Sequence, residues 1–272
     1  MSDEQVYYDS WKEDRDIILE YNQVTLDNVT VVNILGVPVE NITRDQSVVK
    51  VMKMIDKGGV NQVVFLNPYK IMRIRSNADL RNIISMTDMY LAGGAGLQWA
   101  SRMLKHPIKE RISVLSFMMD IIRVSEMKEY TIFLVGAKPE IVERAFANIR
   151  KSFPKIRIIG RHGGYFKPER EKSIIEAIKK SEPDIIFVGF GFPKEDKWIF
   201  KLKKELKKGV IIGAGGNFDI ISGEIRKAPP FFMERGLDWF YRIITRPWRI
   251  GRLLRVKYFF FRIILKKIFK RR

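Results

Sequence analysis

The residues best suited to chemistry in this chain are small and mostly uncharged. Glycine clusters follow four apolar runs: Leu91-Ala-Gly-Gly-Ala-Gly-Leu97, Val135-Gly-Ala-Lys138, Val188-Gly-Phe-Gly-Phe-Pro193 and Ile212-Gly-Ala-Gly-Gly-Asn-Phe-Asp219. A residue without Cβ lets the backbone approach a ligand closely, and N–H groups at a following helix N-terminus can then cradle phosphate. One such turn would serve any tight strand-to-helix connection. Four in succession favour a nucleotide or sugar-nucleotide pocket. No GxxxxGK[ST] stretch occurs, which argues against a P-loop ATPase. Residues 93–96 lack the full GxGxxG pattern and its acidic ribose partner, which disfavours a dinucleotide dehydrogenase.

Side-chain chemistry is limited to few residue types. There is no Cys, which excludes a thiolate metal site, a cysteine nucleophile and a disulfide scaffold, and fits a reducing compartment. The two histidines, His106 and His162, have no partner at metal-ligand spacing, and no GxSxG signature is present. Proton transfer therefore falls to Asp, Glu and backbone groups. No acidic pair has a metal-binding geometry, so metal independence is expected and no cofactor is implied.

The elements that must position these loops follow from periodicity. β-Branched runs at 29–35, 62–66, 89–92, 131–135, 157–160, 184–188 and 210–212 read as strands. Helical patterns at 44–57, 77–85, 97–104, 116–126, 139–152, 169–180 and 194–206 lie between them. This alternation predicts an α/β fold, a Rossmann-like, mainly parallel sheet with helices on both faces and ligands at the carboxyl ends of its strands. Residues 1–28 read as a loosely docked N-terminal extension, residues 29–230 as the α/β domain, and residues 231–272 as a basic amphipathic C-terminal appendage.

The chain has 272 residues, 46% apolar and 30% charged, enough to bury a sizeable core. Its acidic, polar N-terminus is no secretory signal, and no stretch of 18 apolar residues suggests a membrane span. The net charge of +19 is uneven: Trp239–Arg272 holds 12 basic residues and no Asp or Glu, leaving +7 for the rest. Bases interleaved with Trp, Phe and Leu suit a helix at an anionic membrane surface. A C-terminal helix docked on the domain with a solvated basic face is the alternative. RNA or DNA would reward the same charges by counterion release, but it would not need the glycine loops, so nucleic acid is not expected.

In order, these segments resemble the WecG/TagA/CpsF family of bacterial glycosyltransferases, from about Val31 to Phe260. The likeness rests on Asn67, the turn at Gly93, Glu110-Arg111-Ile112, Phe133-Leu-Val-Gly-Ala137, His162-Gly-Gly-Tyr-Phe166 and Gly191-Phe-Pro-Lys-Glu-Asp-Lys-Trp198. Its most specific stretches are Gly213-Ala-Gly-Gly-Asn-Phe-Asp-Ile-Ile-Ser-Gly-Glu-Ile-Arg-Lys-Ala-Pro229 and Gly236-Leu-Asp-Trp-Phe-Tyr-Arg-Ile-Ile-Thr-Arg-Pro-Trp-Arg249. The resemblance implies a peripheral membrane enzyme of envelope polysaccharide synthesis on the cytoplasmic face. It would move a hexosamine-type sugar from a UDP-sugar to a polyprenyl-diphosphate-linked acceptor, with inversion. It further implies a donor pocket of Asn67, Gly94, Gly96, Arg111, Gly136, Gly191, Gly216, Asn217 and Asp219. Asp219 would either bind a donor hydroxyl or cap its own turn. Arg242, Arg249 and Arg252 match arginines that complete the active site and would stabilise a departing diphosphate. A homo-oligomer is left open.

The departures from that pattern are specific. The family places a base Asp where this chain has Gly93, Thr-Pro-Asn where it has Phe65-Leu66-Asn67, and Gln where it has Glu195. Its Gly-x-Asp after Glu-Arg is replaced by Val114-Leu115-Ser116. Glycine cannot accept a proton from the acceptor hydroxyl. Three readings stay open: a non-catalytic relative that binds a UDP-sugar or lipid as a scaffold, transfer of the base role to Glu195, or an Asp-to-Gly change peculiar to this sequence.

Overall fold

The structure, a computed structural model, describes residues 21–226, 229, 231–232, 241, 244–245 and 250–269. Arg242, Arg249 and most of the N-terminal extension lie outside the described residues. Residues 21–28 do not stand apart from the domain: Tyr21 is buried in the main core, and Val24 and Leu26 pack against it.

The expected strand at 29–35 forms, but not in the main sheet. β1 (Thr30–Ile34) pairs antiparallel with β2 (Val37–Asn41) in a separate hairpin. Its two-residue turn puts both Leu35 (φ 54) and Gly36 (φ 87) in the left-handed region, as hairpin turns matched to strand twist require. The Gly36 N–H donates to Asn33 Oδ1 at 2.7 Å. A Leu in that conformation gives no turn signal, and Pro38 argues against a strand, so β2 was not legible in the sequence.

Helix α1 (Arg44–Lys57) has the bounds its periodicity predicts. A capping box starts it: Thr43 Oγ1 accepts from the Gln46 N–H, and Gln46 Oε1 accepts from the Thr43 N–H, each at 3.2 Å. After β3 (Val60–Leu66) comes a helix that periodicity did not suggest, α2 (Pro68–Arg75). Asn67 caps it through Oδ1, which accepts the Lys70 N–H at 2.8 Å, and Pro68 takes the first turn. The chain continues through α3 (Ala78–Ser85), β4 (Met89–Ala92), α4 (Ala95–Met103), α5 (Val114–Lys128), β5 (Thr131–Gly136) and α6 (Pro139–Ser152). Then follow β6 (Arg157–His162), α7 (Pro168–Ser181), β7 (Ile185–Gly189), α8 (Lys194–Glu205), β8 (Gly209–Gly213), α9 (Phe218–Ile221) and α10 (Arg252–Phe269).

Strands β3 to β8 make one all-parallel sheet in the order β4-β3-β8-β7-β5-β6. Successive strand residues point to opposite faces. Val63, Phe65, Leu134, Phe187 and Ile212 pack with α1, α5, α6 and α9. On the other face, Val64 and Leu66 pack with α2, α4 and α10, while Val135, Val188 and Ile211 pack with α7 and α8. Burial on both faces is why these strands read as continuous apolar runs rather than as alternating ones.

Candidate active site

The sheet order sets the strand-end loops in a row: Gly93 after β4, Asn67 after β3, residues 213–217 after β8, residues 189–193 after β7, Gly136 after β5 and His162 after β6. At a strand spacing of about 4.8 Å the row is roughly 24 Å long. All four glycine clusters found in the sequence lie on this one edge. Four of their glycines, Gly96, Gly136, Gly189 and Gly213, are fixed by close approach. A Cβ on Gly136, whose φ is 143, would lie 2.6 Å from the backbone of Gly189. A Cβ on Gly96 would lie 2.5 Å from Pro68 Cγ and 3.3 Å from Phe260 Cζ. Gly96 thus gives α2 and α10 room to pack.

Under the centre of the row is a buried charge cluster. Glu195 and Asp196 open α8, Lys70 lies in α2, and all three side chains are buried. Lys70 Nζ stands 2.6 Å from Asp196 Oδ1. Glu195 Oε2 accepts the Gly191 N–H at 3.1 Å and the Gly215 N–H at 2.9 Å, so one carboxyl group ties the β7–α8 loop to the β8–α9 loop. Its other oxygen lies against Gly213, where a Cβ would be 2.6 Å away. Burial raises the Glu195 carboxyl to about 7, with Asp196 pushing the same way and Lys70 and the two N–H donors opposing. A group so placed holds the loops and retains a proton near neutrality.

A chain of contacts runs from that cluster to the C-terminal helix. Lys70 Nζ is 5.1 Å from the centre of the Phe192 ring, and Phe192 meets Tyr69 edge-on at 6.0 Å. The Arg252 guanidinium lies 5.2 Å from the Tyr69 ring centre. Arg252 is thus at the row, while Arg242 and Arg249 lie outside the described residues. Beyond Arg252, α10 docks on α2 and α4 through Phe259 and Ile263, both buried, and Phe260 packs on Trp99. The helix is docked, and it also exposes Leu254, Tyr258, Phe261, Ile264, Ile268 and Phe269. No described helix is long and apolar enough to cross a membrane.

The remaining candidates divide by location. Gly93 and Gly94 lie at the β4–α4 turn, with Gly94 as the α4 N-cap. Gly93 has no room for a side chain without a shift, since a Cβ there would be 3.2 Å from Phe65 Cβ and 3.3 Å from the Leu66 carbonyl. Arg111 lies in the segment before α5, beside Ile112, whose N–H donates to the Ala92 carbonyl at 2.8 Å. Gly216 is exposed at the tip of the β8–α9 loop. Asn217 is buried, and its amide donates to the Ala214 carbonyl at 2.6 Å, so its side chain shapes its own loop. Asp219 sits in the first turn of α9, half-buried beside that loop.

Sequence reasoning quoted residues 162–166 as a motif but assigned them no role. In the structure they border a cavity of about 670 Å³ at the β6 end of the row, with Arg161, Tyr165, Phe166, Lys167 and Arg170 in its lining. Tyr165 is 79% exposed. Two aromatics among three cations in one short stretch were the available signal. Gly164 connects this end to the row, its N–H donating to the Ala137 carbonyl at 2.7 Å.

The chain matches the glycosyl transferase WecG/TagA/CpsF family over residues 32–272. It is similar to N-acetylglucosaminyldiphosphoundecaprenol N-acetyl-beta-D-mannosaminyltransferase of Staphylococcus aureus (strain NCTC 8325 / PS 47), with 31% identity over 242 residues, covering 88% of this chain and 94% of that protein. The protein of the same name from strain MRSA252 is 30% identical over the same length. A parallel α/β sheet with glycine-rich loops along one edge and a basic C-terminal helix docked on it is what these matches cover, and the chain belongs to the WecG/TagA/CpsF family of glycosyltransferases.

Proposed function

We propose that this protein transfers an N-acetylhexosamine-type sugar from a UDP-sugar to a sugar carried on polyprenyl diphosphate, with inversion, at the cytoplasmic face of the membrane. The observation that carries the reading is the row of strand-end loops, aromatic and cationic at one end and capped by α10 at the other. The nucleoside fits the β6 end, where Tyr165 and Phe166 offer ring surfaces and Arg161 and Arg170 offer charge. The diphosphate then lies along the glycine loops of β5, β7 and β8. The lipid-linked acceptor enters at the β3–β4 end, beside Gly93 and Arg252, with Arg242 and Arg249 supplied by the tail. Relatives whose printed name gives an N-acetylglucosaminyl-diphosphate-undecaprenol substrate support that acceptor class.

One observation favours a second reading, a binding relative without transferase activity: residue 93, at the end of β4, is a glycine with no side chain to take a proton. Two assays together separate the two readings. UDP should raise the melting temperature of the native chain, and a bulky substitution at Gly216 should abolish the shift. Transfer from a UDP-N-acetylhexosamine to an N-acetylglucosaminyl-diphosphate lipid supports the enzyme. A UDP shift without transfer supports the binding relative, and the absence of both refutes the donor assignment.

A further inference from the structure

A second hollow lies away from the row, between the β1–β2 turn, the C-terminal end of α2 and the outer side of α10. It holds about 450 Å³ and is lined by Leu35 and Gly36 of the turn, Arg75 of α2, and Arg262, Leu265, Lys266 and Phe269 of α10. Three of these side chains are cationic and none is a carboxylate. The Arg75 guanidinium is held in place by donating to the Leu35 carbonyl, which leaves most of its five N–H groups for another acceptor. Arg262, Lys266 and Phe269 follow one another at helical spacing, so they share a side of α10. That side borders the exposed apolar stripe of Leu254, Tyr258, Phe261, Ile264, Ile268 and Phe269. Ten residues separate Arg252 at the row from Arg262, about 15 Å along a helix, so this hollow is not part of the diphosphate site.

We propose that the hollow binds the phosphate headgroup of an anionic phospholipid, with the acyl chains lying along the apolar stripe of α10. Three cations with no carboxylate in the same lining suit a phosphodiester. The lining offers no side-chain acceptor for a sugar or a base, while Leu35, Leu265 and Phe269 suit hydrocarbon. An apolar stripe of this extent marks an interaction surface, and its basic border matches an anionic leaflet rather than an acid-poor protein face. The inference rests on the membrane-surface reading above and adds a specific lipid site to it.

The test compares two full-length double variants that each lose two positive charges from α10. Arg262→Gln/Lys266→Gln removes cations of the hollow, and Arg255→Gln/Lys257→Gln removes cations outside it. Neither touches Phe259 or Ile263, so both should keep the native melting temperature. On vesicles of phosphatidylglycerol in phosphatidylcholine, the first variant should lose about tenfold more affinity than the second, the worth of one hydrogen bond to a charged group. Soluble short-chain phosphatidylglycerol should raise the melting temperature of the native chain and not that of the first variant, and inorganic phosphate at equal concentration should do neither. Equal losses in the two variants overturn the lipid site while leaving membrane binding intact. An equal shift with inorganic phosphate shows a free-phosphate site and also overturns it. Failure of the native chain to bind these vesicles overturns both the site and the membrane-surface reading.

Discussion

Phe65 and Gly93 share one small volume at the ends of adjacent strands: a Cβ on Gly93 would lie 3.2 Å from Phe65 Cβ and 3.6 Å from Phe65 Cδ1. Phe65 is buried and meets Phe117 edge-on at 5.3 Å. The two departures from the family pattern, Phe for a hydroxyl residue and Gly for the base, therefore lie side by side. A side chain at residue 93 requires the end of β3 to give by a few tenths of an ångström, because the close atoms are Phe65 Cβ and the Leu66 carbonyl oxygen.

This contact determines how a lost base can be restored. Gly93→Asp alone should overpack the turn, cost about 1–3 kcal/mol and gain little activity. Phe65→Thr/Gly93→Asp restores the family's residue at both positions, and should raise transfer by about 10²-fold or more over the native chain, the usual worth of a positioned general base. The measurement is initial rate with a UDP-N-acetylhexosamine and a lipid-diphosphate acceptor, beside UDP binding as a control. A double variant no faster than the native chain, with UDP binding intact, would show that the acceptor side has changed beyond these two residues.

Glu195 offers a test by pH. Its carboxyl is raised from the ordinary 4.5 to about 7, so the folded state holds this proton more firmly than the unfolded state. The stability it contributes is full below about 4.5 and is lost as pH rises through about 7. Glu195→Gln can accept the same two N–H groups and has no proton to lose. The melting temperature of the native chain minus that of the variant should fall between pH 4.5 and 7 and level off above. A flat difference would mean that Glu195 is already ionised in the folded protein.

The Lys70–Asp196 pair should dominate local stability. Lys70→Met would leave Asp196 buried without a counter-charge and should cost about 3–5 kcal/mol in urea unfolding. Adding Asp196→Asn should recover most of that loss, because the uncompensated charge disappears with it. A cost below about 1 kcal/mol for Lys70→Met would show that another cation serves Asp196.

The sequence by itself determined the elements whose causes are local. Thr43 and Gln46 fix the start of α1, Pro139 opens α6, and β-branched runs buried on both faces mark the central strands. The glycine clusters were legible as strand-end turns because these turns need either close backbone approach, as at Gly136 against Gly189, or a positive φ, as at Gly191 and Gly215. Only the tertiary structure decided what those turns face. Sheet order, which no local pattern encodes, brings Lys70 to Asp196 and Glu195 to Gly215, and sets Phe65 against Gly93. It also turned the apolar residues of α10 into two sets, Phe259 and Ile263 buried on α2 and α4, Phe261 and Ile264 left exposed. Periodicity gives a helix its faces, but which face is buried depends on the shape of a surface assembled from residues distant in the chain.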